Sequence, residues 1–277
     1  MPEIRNQSGL DWINGTKIYY ETAGEGQPFV MIHAGIADSR QWNNEFACFS
    51  QRFQVIRYDM VGYGKSDPFD GVSRFEELPA LLEYLHVDQP IILMGCSMGG
   101  ELAMDFAVAQ PSQVKALIMV DATPSGLELD VPSPTKSAEL DKAFHQGNNV
   151  DLITELLTQI KFDGEGRTPG QVNQAMRQLV LEMCRIFLTK VPLQSVFRLL
   201  PKDPAPAAGR LNEINLPVLV IVGIYDTPYS LAAADYMVEN LPMVRKVVIE
   251  DAAGLPNMDQ PDEFQHLVTT FLDEVLH

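Results

Sequence analysis

The 277-residue sequence predicts an α/β protein with a mostly parallel, twisted β-sheet, helices on both faces of the sheet and one inserted helical lid. Three observations support this fold class. Short apolar segments alternate with segments of helical periodicity through most of the chain, which is typical of βαβ units. A hairpin signal, Asn14-Gly15, precedes this alternation. After Asp130 the alternation is interrupted by helical patterns alone.

The first part of the chain carries the hairpin and four further strand patterns. Asn14-Gly15 separates two short strand patterns, which predicts an antiparallel pair with a tight turn. Pro79 falls within a helix pattern, where it is tolerated only near the helix start. The predicted strands are residues 10–13, 17–22, 29–33, 54–58, 91–94 and 114–120, and the predicted helices are residues 42–53, 75–85 and 98–110.

The interruption after residue 130 predicts an insertion. Prolines and then amphipathic helical stretches occupy the chain to about residue 200. Because the insertion follows the carboxyl end of a strand, it predicts a lid over the edge where open α/β sheets bind ligands. A packed helical subdomain without that role is the alternative. Strand patterns then resume at 218–222 and 246–249, with helices at 231–241 and 264–275. The predicted domains are a core of residues 1–130 and 210–277 and a lid, or cap, of residues 131–209.

Composition limits the classes of partner. The formal net charge of -17 predicts neither nucleic acid nor an anionic membrane as partner, because like charges repel, although such charge also serves solubility. The cysteines Cys48, Cys96 and Cys184 have no metal-ligand spacing, so we expect no disulfide framework, no metal and a reducing cytoplasmic location. No signal-peptide pattern or membrane-spanning apolar run is recognised. Without a dinucleotide fingerprint, no cofactor is expected either, which leaves a small molecule as the partner.

The most informative motif is the Gly-x-Ser-x-Gly segment at residues 95–99, between a predicted strand and a predicted helix. At such a junction the motif forms a sharp turn that lifts the serine hydroxyl above the sheet. We therefore predict that Ser97 is a nucleophile. The backbone N–H of Met98, at the helix N-terminus, is predicted to stabilise an oxyanion. The alternative is a tight turn with a bystander serine.

A second oxyanion donor is expected from the loop after the strand at 29–33. Gly35 is the candidate, since a glycine lets the backbone approach a ligand closely. His33 is expected to organise this loop and not to take part in the chemistry.

These motifs resemble the α/β-hydrolase superfamily, in the branch of small cytosolic esterases, lactonases and carbon–carbon bond hydrolases. The resemblance extends from about residue 20 to residue 276 and is least specific in the lid. It implies a catalytic triad in the order Ser, Asp, His. It rests on the oxyanion loop at 33–35, residues 59–67 (similar to Asp-x-Arg-Gly-x-Gly-x-Ser), the elbow at 95–99, the acid loop at 223–226 and the histidine loop at 253–258.

The resemblance implies that Asp226 is the acid of the triad. An alternative use of Asp226 is to cap the following helix or to form a turn. Asp121, at the end of the strand at 114–120, is the second candidate, because some relatives place the acid there.

Three positions depart from the family pattern. Gly254 stands where the family carries histidine, so the place of the triad base is expected to be vacant. Val61 stands where arginine is usual, and Ile224 where a polar or acidic residue is common. These substitutions, natural or engineered, suggest an enlarged and more apolar pocket, with lining residues predicted as Ala34, Val61, Ile224, Cys184 and Phe187.

The missing histidine determines the functional interpretation. Glycine cannot accept the serine proton, and His145 in the lid is the only weak substitute among the other histidines. Asp226 as a carboxylate base, or Cys184 or Lys190 as a nucleophile, are further alternatives. We therefore predict a serine esterase-type protein for small apolar esters or related acyl compounds, impaired, repurposed or engineered. A ligand-binding pseudoenzyme is the alternative.

Overall fold

A single eight-stranded sheet organises the structure, a computed structural model that describes residues 6–68, 74–146, 149–191 and 206–276. The strand order is β1-β2-β4-β3-β5-β6-β7-β8. The pairs β1–β2 and β2–β4 are antiparallel and the other five pairs are parallel, which confirms the mostly parallel sheet. The strands are β1 Gln7–Ile13, β2 Thr16–Ala23, β3 Pro28–Ile32, β4 Gln54–Tyr58, β5 Ile91–Cys96, β6 Val114–Val120, β7 Val218–Gly223 and β8 Val244–Ile249.

Local sequence chemistry explains these strands. Asn14 (φ 49°) and Gly15 (φ 84°) both have positive φ, as a two-residue hairpin turn requires. Strands β3, β5 and β7 are buried along their whole length, because helices cover both faces of the sheet. Their unbroken apolar runs therefore show no alternation.

The helices that were predicted in the core are present with shifted bounds. The helix that was predicted over 42–53 ends earlier, at Phe49, and turn hydrogen bonds carry the chain on to β4. Pro79 lies in the first turn of its helix, as expected. No described helix is long and apolar enough to cross a membrane. The helices are α1 Asn43–Phe49, α2 Glu77–Tyr84, α3 Met98–Ala109, α4 Ser137–Gln146, α5 Val150–Thr158, α6 Gln174–Lys190, α7 Pro228–Asn240, α8 Pro256–Asp259 and α9 Pro261–Val275.

Helices α4, α5 and α6 lie between β6 and β7 along the chain and form the inserted segment. They pack mainly on one another, and α5 continues directly into a π-helical turn, Gln159–Asp163. The segment contacts the loop after β4: Phe187 stacks on Tyr63 with ring centroids 4.4 Å apart, and Lys190 Nζ donates to the carbonyl oxygens of Gly64 and Ser66. It therefore lies over the carboxyl edge of the sheet.

Candidate active site

Ser97 occupies the junction between β5 and α3 with a strained backbone, at φ 51° and ψ −115°. Its N–H donates to the Val120 carbonyl oxygen at 2.8 Å. An ideal Cβ on Gly95 would lie 2.2 Å from the Gly99 carbonyl oxygen, and one on Gly99 would lie 2.4 Å from the Ile32 carbonyl oxygen. The close approach of α3 to β5 and β3 therefore requires both glycines. The turn has the geometry that the motif predicts.

The two predicted oxyanion donors lie side by side. An ideal Cβ on Gly35 would be 3.6 Å from the Cβ of Met98. In the described parts of the chain, neither the Gly35 N–H nor the Met98 N–H donates to a protein acceptor. The neighbouring Ala34 N–H, in contrast, donates to Gln41 Oε1 at 2.8 Å. The pair of N–H groups is thus available to a ligand oxygen.

His33 holds the loop that carries Gly35, as the sequence predicts. Its Nδ1–H donates to the Ala34 carbonyl oxygen at 2.8 Å, and its Nε2 accepts the Met60 N–H at 3.0 Å. Complete burial lowers the pKa of His33, which favours this neutral form. Both ring nitrogens are used, so His33 serves structure.

Position 254 faces an ion pair. An ideal Cβ on Gly254 would lie 2.6 Å from Asp121 Oδ2 and 3.0 Å from the Lys161 carbonyl oxygen. Lys161 Nζ donates to the same Asp121 Oδ2 at 2.9 Å. The carboxylate of Asp121 and the backbone at Lys161 therefore lie directly beside position 254, where the sequence predicts that the triad base is missing.

Asp226 and Asp121 are neighbours rather than alternative sites. Asp226 is buried, and its Oδ1 accepts the Thr227 N–H at 2.8 Å. Burial and then the negative charge of Asp121 raise the pKa of Asp226 well above its usual range, and the two carboxyl groups are within hydrogen-bonding reach. Among the described residues, Asp121 Oδ1 and Asp226 Oδ2 accept no N–H or hydroxyl hydrogen. Asp226 therefore gives up its proton less readily than an exposed aspartate does.

Lys161 is one site residue that the sequence did not predict. It lies on the π-helical turn after α5, and its side chain is 26% exposed. Burial opposes its charge, but the carboxylates of Asp121 and Asp226 outweigh burial and raise its pKa, so it is an ammonium ion at neutral pH. No sequence signal identifies it, since a lysine in an amphipathic stretch normally faces solvent.

Glu101 is a second missed residue. It follows Ser97 by one helical turn on α3, so the spacing alone could have placed both on one face. Burial and the negative charge of Asp105 raise the pKa of Glu101 to about 7. Glu101 is therefore partly protonated near neutral pH.

A cavity of about 370 Å³ lies between the sheet edge and the inserted segment. Carboxyl, ammonium and hydroxyl groups share its wall with the apolar atoms of a methionine, a proline and an isoleucine. Its lining residues are Ser97, Met98, Glu101, Asp121, Thr123, Pro134, Ile160, Lys161, Thr227, Tyr229 and Ser230.

The five residues that were predicted to line the pocket lie outside that lining. Ala34, Val61, Cys184 and Phe187 are buried in the hydrophobic core, because the stack of Phe187 on Tyr63 fills the space beneath the inserted segment. Ile224 is 44% exposed on the surface. The enlarged apolar pocket that these residues suggested is not formed by them.

The alternative chemical groups are also placed elsewhere. Burial raises the pKa of the Cys184 thiol to about 12, which disfavours the nucleophilic thiolate. Lys190 donates to two backbone carbonyl groups, and exposed His145 contacts the Asp141 carbonyl oxygen on its own helix. Among the residues that the structure describes, no cluster of histidine, cysteine and acidic side chains could hold a metal ion.

Comparison with known proteins agrees with the fold. A family model described as the alpha/beta hydrolase fold matches residues 27–151. A 2-hydroxy-6-oxononadienedioate/2-hydroxy-6-oxononatrienedioate hydrolase of Dechloromonas aromatica is 24% identical, with 92% of this chain and 90% of the relative covered. A pimeloyl-(acyl-carrier protein) methyl ester esterase of Nitrosomonas europaea is 27% identical, with 89% and 96% covered. The solved structure of Est816, an N-acyl homoserine lactone degrading enzyme, matches with a TM-score of 0.76 and 25% identity over 93% of this chain and 98% of that chain. The chain therefore has the α/β-hydrolase fold.

Proposed function

We propose that the chain is a serine hydrolase of small carboxylic esters or related acyl compounds, with Ser97 as the nucleophile. The observation that carries the proposal is the backbone strain at Ser97, φ 51° and ψ −115°, beside the cavity. Such a conformation costs a residue other than glycine about 1–3 kcal/mol and concentrates at functional sites. The N–H groups of Gly35 and Met98 then stabilise the oxyanion.

The comparisons support an acyl compound as the substrate class. The similar proteins include a methyl ester esterase and a lactone-degrading enzyme. The cavity fits a small molecule, in which apolar groups contact Met98, Pro134 and Ile160. The net charge of -17 disfavours nucleic acid and anionic membranes as partners, and three free thiols fit a reducing cytoplasmic compartment.

Slow turnover is part of the proposal. The cavity lining contains no histidine from the described residues. Loss of a triad base can cost about 10⁶-fold in kcat, while binding and oxyanion stabilisation keep about 10³–10⁴-fold over water. We therefore propose that the chain is an impaired, repurposed or engineered descendant of an esterase.

The test is a burst experiment with p-nitrophenyl butyrate. We expect release of about one p-nitrophenol per protein and a matching mass increase on Ser97. Ser97→Ala should abolish both signals, whereas Ser112→Ala, at an exposed serine, should leave them unchanged. A wild-type protein without burst or mass increase would contradict the proposal.

The second candidate is a ligand-binding pseudoenzyme. The Lys161–Asp121 ion pair beside Gly254 favours it, since charged groups occupy the place of a base. If this is the function, a small ester should bind to the protein, and Ser97 should release no product from it. Calorimetric binding together with an absent burst would select it.

A further inference from the structure

Lys161 is a charged cavity residue whose position depends on an irregular element. The turn Gln159–Asp163 is π-helical, and π-helical turns are rare and frequent at functional sites. The turn brings both Ile160 and Lys161 to the cavity wall. Because α5 itself is a regular helix, this turn determines the direction in which the Lys161 side chain points from the inserted segment.

A buried ion pair fixes the turn. Arg177 on α6 donates from Nε to Asp163 Oδ1 at 2.9 Å, and the side chains are only 10% and 1% exposed. The turn ends at Gly164 (φ 81°), whose N–H donates to the Gln159 carbonyl oxygen at 2.8 Å. An ideal Cβ on Gly164 would lie 2.5 Å from the Tyr225 carbonyl oxygen, so the turn is seated against the loop after β7. Lys161 is thus held in place by the surrounding structure.

The sheet register brings Ser97 and Asp121 together. Cys96 on β5 pairs with Val120 on β6, so the next residue of each strand lies at the same point of the carboxyl edge. Neighbouring strands are about 4.8 Å apart. Ser97 and Asp121 also share positive φ, 51° and 45°, which is uncommon outside glycine. Lys161 binds Asp121 and lines the cavity that Ser97 lines.

We infer that Lys161 takes the place of the absent imidazole and that its Nζ carries the proton during acylation of Ser97. This inference rests on the proposed function of Ser97. In its amine form Nζ accepts the Ser97 hydroxyl proton while Oγ bonds to the carbonyl carbon and the carbonyl electron pair moves to oxygen. When the bond from carbon to the leaving oxygen breaks, the Lys161 ammonium returns the proton to that oxygen. Water then releases the acyl group through the same two transfers.

The surroundings of Lys161 set the pH dependence. Burial alone would lower the pKa of Lys161. Asp121 and Asp226 raise this pKa by more than burial lowers it, so the neutral amine is scarce at neutral pH. Because the reactive form is deprotonated, acylation should speed up as pH rises. Removing the charge of Asp121 should lower the pKa of Lys161 and speed acylation at neutral pH. The titratable groups around Lys161 are Asp121 after β6, Asp226 after β7, Cys96 on β5, Glu101 on α3 and Tyr229 on α7.

The experiment measures how fast a fluorophosphonate probe labels Ser97 between pH 6 and 10, by intact mass. The probe loses fluoride, so only proton removal from Ser97 is tested. We expect the wild-type rate to rise about tenfold per pH unit, as one deprotonation requires. Lys161→Met and Lys161→Arg should be slower by about 100-fold or more at pH 9, in the range of a general base. Asp121→Asn should be labelled at least about fivefold faster at pH 8, because the loss of the Asp121 charge lowers the pKa of Lys161. Asparagine tolerates the positive φ at this position, so the fold should be kept.

The outcomes separate the inference from the proposed function. Lys142→Met, at an exposed lysine, is the matched control and should label like wild type. Labelling of Lys161→Arg at the wild-type rate and slope would overturn the role of Lys161 and leave Ser97 as the nucleophile. Slower labelling of Asp121→Asn would also overturn the inference, because it would assign Asp121 as the supporting acid. Wild-type protein that stays unlabelled at every pH would overturn the proposed function itself.

Discussion

Gly254 is the residue that we propose stands in place of the histidine of a Ser-His-Asp triad. A side chain there would meet the Asp121 carboxylate at 2.6 Å and the Lys161 carbonyl oxygen at 3.0 Å. Asp121 cannot move freely, since its side chain is fully buried and paired with Lys161. Histidine at position 254 therefore competes with this ion pair for space.

At the residue scale, we predict that Gly254→His alone restores little activity. The expected gain in kcat/KM for p-nitrophenyl butyrate is below about tenfold, because the ion pair blocks the imidazole. Gly254→His/Lys161→Ala should exceed Lys161→Ala by about 100-fold or more, as expected for a general base. Gly254→Ala/Lys161→Ala is the control for adding a side chain at position 254 without an imidazole. An equal gain in the single and the double variant would contradict this competition for space.

Local signals made part of this site predictable. The elbow at Ser97 and the close approach at Gly35 each depend on a short motif that follows the end of one strand. Lys161 was not predictable, since its place depends on a helical irregularity and on ion pairs with α6. The pocket residues were placed wrongly for a related reason. The stack of Phe187 on Tyr63 joins two distant segments, and no pattern in either segment announces it.

At the element scale, the π-helical turn and α6 form one unit. Arg177 bridges Asp163 at the end of the turn and Glu155 on α5. Helix periodicity predicts helical stretches in this region but cannot reveal a π turn, because one turn contributes too few residues to change the pattern. The ion pairs therefore link the stability of the segment to the position of Lys161.

Arg177→Met should destabilise the protein by about 3–5 kcal/mol, because it leaves the buried carboxylate of Asp163 without its partner. Urea unfolding measures this loss. Arg185→Met is the matched control on the same helix: its pair with Asp151 is 58% and 77% exposed, so about 1 kcal/mol or less is expected. Arg177→Met/Asp163→Leu should recover much of the loss. Equal destabilisation by Arg177→Met and Arg185→Met would show that the buried pair has no special role.

At the scale of the whole molecule, a buried polar network connects the loop of Gly35 with helix α8, which follows Gly254 in the chain. Gln41 binds the Ala34 N–H next to Gly35, and its amide contacts Asn257 on α8. Asn257 donates to Glu45 Oε2 at 3.0 Å. The sequence gives no sign of this network, because its members come from distant segments that only the complete fold brings together. The carboxyl group at its centre makes the stability of the protein depend on pH.

Glu45 is fully buried, and burial raises its pKa from 4.5 to about 7. The folded state therefore holds this proton more tightly than the unfolded chain. Its stabilising effect is complete below the unfolded pKa and is lost as pH rises through the folded pKa. The loss between pH 4.5 and 7 is about 3 kcal/mol, at about 1.4 kcal/mol per pKa unit. Glu101, with its pKa raised to about 7, and Asp105, with its pKa raised to about 6, act in the same direction.

We therefore expect the free energy of unfolding in urea to fall between pH 5 and 8. Glu45→Gln should reduce this slope, because a neutral amide does not titrate, even where the altered hydrogen bond to Asn257 lowers stability at every pH. Glu263→Gln, at an exposed site on α9, should keep the wild-type slope. A Glu45→Gln slope equal to that of wild type would mean that Glu45 is already ionised in the folded protein. The buried network would then have to stabilise a carboxylate in the core, with Asn257 and Gln265 as its hydrogen-bond donors.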